Sequence, residues 1–243
     1  MKYYIIVGEP SGDLHGSNLM KGIVAEDSEA QFRFWGGDKM AEVGGKENLA
    51  KHYRETSFFG IVQVVRNLRT VLGQIDECKR DIEAFNPDVV VLIDYPSFNM
   101  RIAKWAKARG TKVYYYIAPK VWASREGRIR KLKAYVDKLF IVFPFEKPYF
   151  DSKGISYIYE GNPLVDAVDG STAMNETHKD FLVRAGLDDK PFIAMLAGSR
   201  KPEISTMMPV LTEFASKMRQ IPEYSEYQFL VAGAPARSMA DYE

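Results

Sequence analysis

The chain has 243 residues, of which 46% are hydrophobic, 27% charged and 13% aromatic; this is globular and excludes disordered, collagen-like and low-complexity classes. With 33 basic against 32 acidic side chains the net charge is +1, which excludes a global nucleic-acid-binding charge and leaves only a local basic patch open. The single cysteine, Cys78, excludes an intramolecular disulfide and a cysteine-based metal site.

The length exceeds the usual single-domain size of about 100–200 residues, so one large or two smaller domains are expected. The opening run Tyr3-Tyr4-Ile5-Ile6-Val7 stops at Gly8-Glu9-Pro10, a buried strand rather than a secretion signal, and the cytoplasm is the expected compartment. No stretch reaches the roughly 18 uncharged apolar residues of a spanning helix. In chain order, strands are expected at residues 2–8, 32–35, 88–94, 112–118, 138–143, 156–159, 192–196 and 228–232. Helices are expected at 14–25, 68–85, 100–109, 125–135 and 204–219. Several strands are apolar along nearly their whole length, as in parallel sheets covered on both faces. The alternation predicts a doubly wound α/β fold.

A seam is expected at Gly161-Asn162-Pro163, which places one Rossmann-like domain at 1–162 and the start of a second at 163–243. The second part carries two convincing strands, whereas a doubly wound unit needs about five or six. It is expected to be incomplete.

In open α/β sheets the loops after strand carboxyl ends carry the chemistry. Three stand out. In Gly8-Glu9-Pro10-Ser11-Gly12-Asp13-Leu14-His15-Gly16, glycines permit close backbone approach, and Ser11 or Asp13 can cap the next helix. The helix start there would offer amides to an anion, or be an ordinary capped turn. The spacing is not G-x-G-x-x-G, so a nicotinamide dinucleotide is not indicated. His15 is read as packing or capping rather than catalytic. In Asp94-Tyr95-Pro96-Ser97-Phe98-Asn99, a carboxylate at the tip of an apolar strand can serve as a general base, or as an Asx-type cap. In Leu196-Ala197-Gly198-Ser199-Arg200-Lys201-Pro202-Glu203-Ile204, Gly198 and Ser199 can line an anion cradle and Arg200 offers a planar fork for a nucleotide diphosphate.

Residues 58–72 form an apolar stripe at helical spacing, with Phe58, Phe59, Ile61, Val62, Val65 and Leu68 beside Arg66 and Arg69. It is either core or the face of an interfacial helix on lipid. Between Lys120 and Lys133, Arg125, Arg128, Arg130 and Lys131 join those two lysines against Glu126 alone. Such a run is a solvated helix face or an attractor of anionic lipid or substrate phosphate; without a stacking platform it does not read as a nucleic-acid site.

Seven motifs in order then carry a resemblance. They are Gly8-Glu9-Pro10-Ser11-Gly12-Asp13, Phe59-Gly60-Ile61-Val62-Gln63-Val64, Asp94-Tyr95-Pro96-Ser97-Phe98-Asn99, Tyr116-Ile117-Ala118-Pro119-Lys120-Val121-Trp122-Ala123, Pro144-Phe145-Glu146, Gly161-Asn162-Pro163-Leu164-Val165-Asp166 and Leu196-Ala197-Gly198-Ser199-Arg200. Together they resemble the bacterial lipid-A-disaccharide synthase family over residues 1 to about 235. Gln63, Lys120, Ser124, Asn162 and Ala197 depart from its usual residues. The family continues for well over a hundred further residues, so the chain is expected to be a fragment.

The resemblance implies an inverting glycosyltransferase of the two-Rossmann-domain GT-B type, working without a metal or cofactor. It would transfer 2,3-diacylglucosamine from its UDP derivative to 2,3-diacylglucosamine 1-phosphate, giving the β-1,6-linked disaccharide and UDP. Asp94 is the implied base, with Glu9 second. Ser11, Gly12, Asp13 and Asn99 would serve the acceptor; Gly198, Ser199, Arg200 and Glu203 would serve the diphosphate. The stripe at 58–72 would dock on the cytoplasmic face of the inner membrane. Two other readings stay open: a non-catalytic sugar-nucleotide or lipid-binding module, and a UDP-sugar epimerase of the same fold.

Overall fold

A computed structural model describes residues 1–56, 68–235 and 237–243. They divide into two compact units, Met1–Gly170 and Ser171–Glu243. In the first, β1 (Lys2–Ile6), β2 (Gln31–Gly36), β3 (Leu49–His52), β4 (Val89–Ile93), β5 (Lys112–Tyr116), β6 (Lys138–Ile141) and β7 (Ile158–Tyr159) form one sheet. Its helices are α1 (Pro10–Glu26), α2 (Asp38–Gly44), α3 (Tyr53–Thr56), α4 (Leu68–Phe85), α5 (Pro96–Ala108), α6 (Ile129–Tyr135), α7 (Glu146–Ser152) and α8 (Pro163–Asp169).

The strand order is β3-β2-β1-β4-β5-β6-β7, and every pairing is parallel. The chain leaves β1 for β2 on one side and returns to β4 on the other. The carboxyl ends of β1 and β4 therefore flank the switch point, where connections diverge and leave a crevice.

The sequence of β4, Val-Val-Val-Leu-Ile, is buried at every position because helices cover both faces. Val90 and Leu92 join Tyr4, Trp35 and Tyr115 beneath α4 and α5. Val89, Val91 and Ile93 face the other way with Ile5, Val7 and Phe34, beneath Met20 of α1 and Met40 of α2. Cys78 lies fully buried in the first of these layers, where desolvation pushes its thiol pKa up.

All eight expected strands form, and α4 ends at Phe85 as expected. The strand β3 was not expected, because Leu-Ala-Lys-His lacks both an apolar run and a clean alternation. Helices α1 and α5 begin four residues earlier than expected, at Pro10 and Pro96. Proline is favoured at the first helical position, since its missing N–H would have no helical partner there. The expected helix at 125–135 is a 3-10 turn, Glu126–Arg128, leading into α6.

Of the apolar stripe, Phe58, Phe59, Ile61, Val62, Val65 and Arg66 lie outside the described residues; Leu68 belongs to α4 and Arg69 is exposed. Among the described residues no helix is long and apolar enough to cross a membrane.

The compact first unit runs on past residue 162 through α8 to Gly170. In the second unit, α9 (His178–Ala185), β8 (Phe192–Met195), α10 (Lys201–Met218) and β9 (Gln228–Val231) follow in turn, with β8 and β9 paired in parallel. Thr177 caps α9 by accepting from the Asp180 amide at 3.2 Å, and Gly186 at φ +64 ends it.

Candidate functional site

Two successive residues at the end of β4, Asp94 (φ 44) and Tyr95 (φ 47), stand in the left-handed region. Each such non-glycine residue stores on the order of 1 kcal/mol or more and persists only where its surroundings hold it. Here the holders are identifiable. Asn99, fully buried, donates through Nδ2 to the carbonyls of Asp94 at 2.7 Å and Ile93 at 3.3 Å. The buried Tyr115 hydroxyl donates to the Asp94 carbonyl at 2.6 Å. The Tyr95 ring stacks on Phe98 (centroids 5.1 Å apart, 16° between planes), which packs on Trp35 at 5.4 Å.

A Cβ placed on Gly8 would lie 2.4 Å from Tyr95 Cγ. Glycine after β1 thus lets the ring from β4 cross the switch point. The result presents Asp94, half-buried, at the crevice. Asn99 acts on the strand end rather than at the open loop where the sequence placed it.

The β1 loop is shorter than its sequence suggests. Glu9, extended at φ −156, is the N-cap of α1 without a side-chain capping bond, and Ser11, Gly12 and Asp13 lie within the helix. Neither Ser11 nor Asp13 caps α1. Ser11 donates to Glu9 Oε1 at 2.8 Å, which joins these two at the exposed end of the crevice. Asp13 is 3% exposed and accepts from the amides of Gly37 (2.8 Å), Lys39 (3.1 Å) and Met40 (3.1 Å). It caps α2, so its carboxylate is committed to backbone. Gly12 serves packing: a Cβ there would approach Val7 Cβ to 2.9 Å. His15 is half-buried, its Nδ1 has no hydrogen-bond partner, and desolvation lowers its pKa.

Two residues gain roles that the sequence reading did not assign. Arg128 donates through Nη2 to Ser97 Oγ at 3.2 Å, in the first turn of α5. Burial and the neighbouring Arg125 lower its pKa, against the opposing pull of Tyr115 and Asp94. Glu146, 1% exposed, accepts from the Val142 and Phe143 amides and from Trp122 Nε1, each at 3.0 Å. It ties the 119–124 loop to the end of β6. Above it Trp122 meets Phe145 edge-on at 4.9 Å and Phe143 stacks on Phe145 at 5.2 Å. Phe145 is 52% exposed, so this aromatic rim faces outward. Only the tertiary pairing reveals the rim; the run Pro144-Phe145-Glu146 by itself does not.

In the second unit the loop after β8 is built around Glu203. Gly198 adopts φ +103, and a Cβ on it would lie 2.8 Å from Glu203 Cβ. Glu203 Oε2 accepts from the amides of Ser199 (3.2 Å) and Arg200 (3.1 Å), while Oε1 meets Arg200 Nη1 at 2.9 Å. The Arg200 hydrogen bond first, then the Ser199 amide, holds the Glu203 carboxyl below its ordinary pKa. Of the expected cradle, the Ser199 amide, together with that of Arg200, thus already holds a carboxylate, and Arg200 contributes its cationic side chain to the loop. The segment after β9 closes over this loop: Arg237 Nε donates to the Ser199 carbonyl at 3.0 Å and the Tyr242 hydroxyl to that of Gly198 at 3.3 Å. These two partners lie too far along the chain for a local motif to announce them.

Among the described residues no group of three or more histidine, cysteine, aspartate or glutamate side chains is placed to hold a metal ion.

A family model described as lipid-A-disaccharide synthetase matches residues 3–240. The lipid-A-disaccharide synthase of Geobacter metallireducens is 38% identical over 238 residues, covering 98% of this chain and 60% of that protein. The enzyme of the same name from Coxiella burnetii is 36% identical over 220 residues, covering 90% and 57%. The chain thus spans less than two thirds of the length of these curated relatives. Among solved structures, a UDP co-structure of S. aureus MnaA aligns with a TM-score of 0.67 at 17% identity, covering 97% of this chain and 62% of that one. A UDP-GlcNAc 2-epimerase from Neisseria meningitidis aligns at 0.62 and 13%, covering 100% and 67%. At these identities the likeness is one of fold, the GT-B type.

Proposed function

The chain belongs to the lipid-A-disaccharide synthetase family, and from that premise we propose that it forms part of an inverting glycosyltransferase. The enzyme transfers 2,3-diacylglucosamine from its UDP derivative to 2,3-diacylglucosamine 1-phosphate. Residues 1–162 serve the acceptor and lipid, and residues 163–243 begin the part that holds the UDP-sugar. The apolar stripe at 58–72 rests on the cytoplasmic face of the inner membrane, where both acylated substrates reside.

The observation that carries this reading is the half-buried Asp94 carboxylate, displayed at the switch point by Asn99 and Tyr115 on a strained strand end. Asp94 takes the proton of the acceptor 6-hydroxyl as that oxygen bonds to the donor anomeric carbon. The bond from this carbon to the diphosphate oxygen breaks on the opposite face, which inverts the centre, and UDP leaves with the electron pair. Arg200 stabilises the charge gathering on the diphosphate. Glu9, bonded to Ser11, orients the acceptor.

The test is a mass-spectrometric transfer assay with both lipid substrates, using the natural reading frame in full. Disaccharide is expected from the parent protein, and Asp94→Asn is expected to lower turnover by about 10²–10⁴-fold with donor affinity unchanged. Equal loss of turnover and donor binding would mark Asp94 as structural. No transfer by the folded full-length protein would overturn the reading.

A further inference from the structure

Beside the crevice lies a pocket of about 320 Å³ between the start of α5 and the turn leading into α6. Ser97, Arg101 and Lys104 line it from α5, and Arg128, Lys131 and Tyr135 from the facing segment. Four of these side chains are cationic and none of the lining residues is acidic. Among the described residues none of the four cations enters an ion pair. By contrast, Arg109 pairs with Glu83 at 2.6 Å and Lys153 with Glu126 at 2.5 Å. Like charges gathered around a concavity repel one another and raise the local concentration of anions.

Three further features fit a compact, doubly charged anion. The first turn of α5 opens at this pocket, so its dipole adds partial positive charge where Ser97 stands. Arg128, already bonded to Ser97 at 3.2 Å, offers a planar guanidinium suited to two phosphate oxygens. The depressed pKa of Arg128, caused by burial and by Arg125, is that of a cation short of compensating charge. Arg128 also connects the pocket to the crevice, because its charge acts on Asp94.

We propose that this pocket binds a phosphate monoester, the anomeric phosphate of the acceptor sugar. The assignment rests on the transferase reading above. The anomeric carbon and the carbon that carries the hydroxymethyl group both flank the ring oxygen of a hexosamine, so the phosphate and the 6-hydroxyl lie within one ring's span of each other. Anchoring the phosphate between α5 and α6 turns the hydroxyl toward Asp94. It also makes the enzyme select an acceptor that carries the phosphate.

The experiment uses the full natural protein, with Lys104→Gln and Lys131→Gln combined and Arg128→Gln separately. Lys104 and Lys131 are exposed, so their replacement is expected to leave the thermal transition in place. Each variant is expected to raise the acceptor KM by about tenfold or more, to leave the donor KM unchanged, and to reduce by the same factor the preference for acceptor over its dephosphorylated form. An unchanged acceptor KM in an active enzyme overturns the pocket assignment and leaves the transferase reading standing. Binding of glucosamine 1-phosphate, titrated against glucosamine by NMR, needs no turnover. If both variants weaken it in a protein that transfers nothing, the phosphate pocket is supported and the transferase reading fails. Vesicles of phosphatidylglycerol against phosphatidylcholine separate the other source of phosphate. Weaker binding to the anionic vesicles with an unchanged acceptor KM assigns the cations to membrane lipid and overturns the proposal.

Discussion

The hydroxyl of Tyr115 in β5 donates to the backbone carbonyl of Asp94 at the tip of β4, 2.6 Å away. A neighbouring strand thereby fixes the peptide from which the proposed base projects. Tyr115→Phe keeps the ring and leaves the Asn99 bond to the same carbonyl, so it should cost about 1 kcal/mol, or about 2–4 °C in Tm. Asn99→Ala removes two bonds and leaves a hole, and should cost about 2–4 kcal/mol. Urea unfolding of the three proteins should place the parent first, Tyr115→Phe second and Asn99→Ala last. A reversed order would move the anchoring role from Asn99 to Tyr115.

Gly8 gives a sharper steric prediction. The methyl of Gly8→Ala would sit 2.4 Å from Tyr95 Cγ, and such overpacking typically costs about 1–3 kcal/mol. The ring must shift, and Asp94 with it, so transfer should fall by more than the change in folded fraction explains. Gly73→Ala is the control: in α4 its added Cβ meets nothing within 4 Å. It should raise stability by about 0.5–1 kcal/mol and leave turnover alone.

Asp13 is expected to be a helix cap rather than a substrate ligand. Asp13→Ala strands three backbone amides at the start of α2 and should destabilise by on the order of 3 kcal/mol. Asp13→Asn retains one accepting oxygen and should keep most of the fold, with an acceptor KM close to the parent's. A large rise in acceptor KM for folded Asp13→Asn would return this residue to the substrate site.

His15 sets a pH dependence with a definite sign. Burial holds its folded pKa below the 6.5 of the free side chain, so the unfolded chain takes up a proton more readily than the folded one. Its contribution is therefore neutral above about pH 6.5 and becomes destabilising as pH falls through that value to the folded pKa. Urea titrations at pH 7 and pH 5 should show the parent losing more stability than His15→Gln. Equal losses would place the acid sensitivity in other groups.

The parts of the fold legible in the sequence are those dictated by local pattern. Val89–Ile93 announces a strand covered on both faces because its apolar run is short, rich in β-branched residues and bounded by Asn86-Pro87-Asp88 and Asp94-Tyr95-Pro96. The alternation around it then predicts a parallel sheet with its chemistry at one edge. What the pattern could not convey were partners distant along the chain. Asp13 belongs to α2 only once Gly37 folds against it. Asn99 and Tyr115 converge on one carbonyl from different elements. Glu203 fills a cradle that its own loop seemed to offer to a ligand. Arg128 was one cation in a basic run until Ser97 gave it an orientation.

The central position of β1 has a consequence for how the chain folds. Tyr3 is paired with Val89 on one side and Phe32 on the other. β1 is thus an interior strand made before both of its neighbours, one of them synthesised some 86 residues later, the separation between Lys2 and Asp88. Until then one edge of β1 stays open, and closing so long a loop is entropically slow. A nascent chain halted before β4 would display that edge to its neighbours, which makes the interval before residue 93 the aggregation-sensitive stage of biosynthesis.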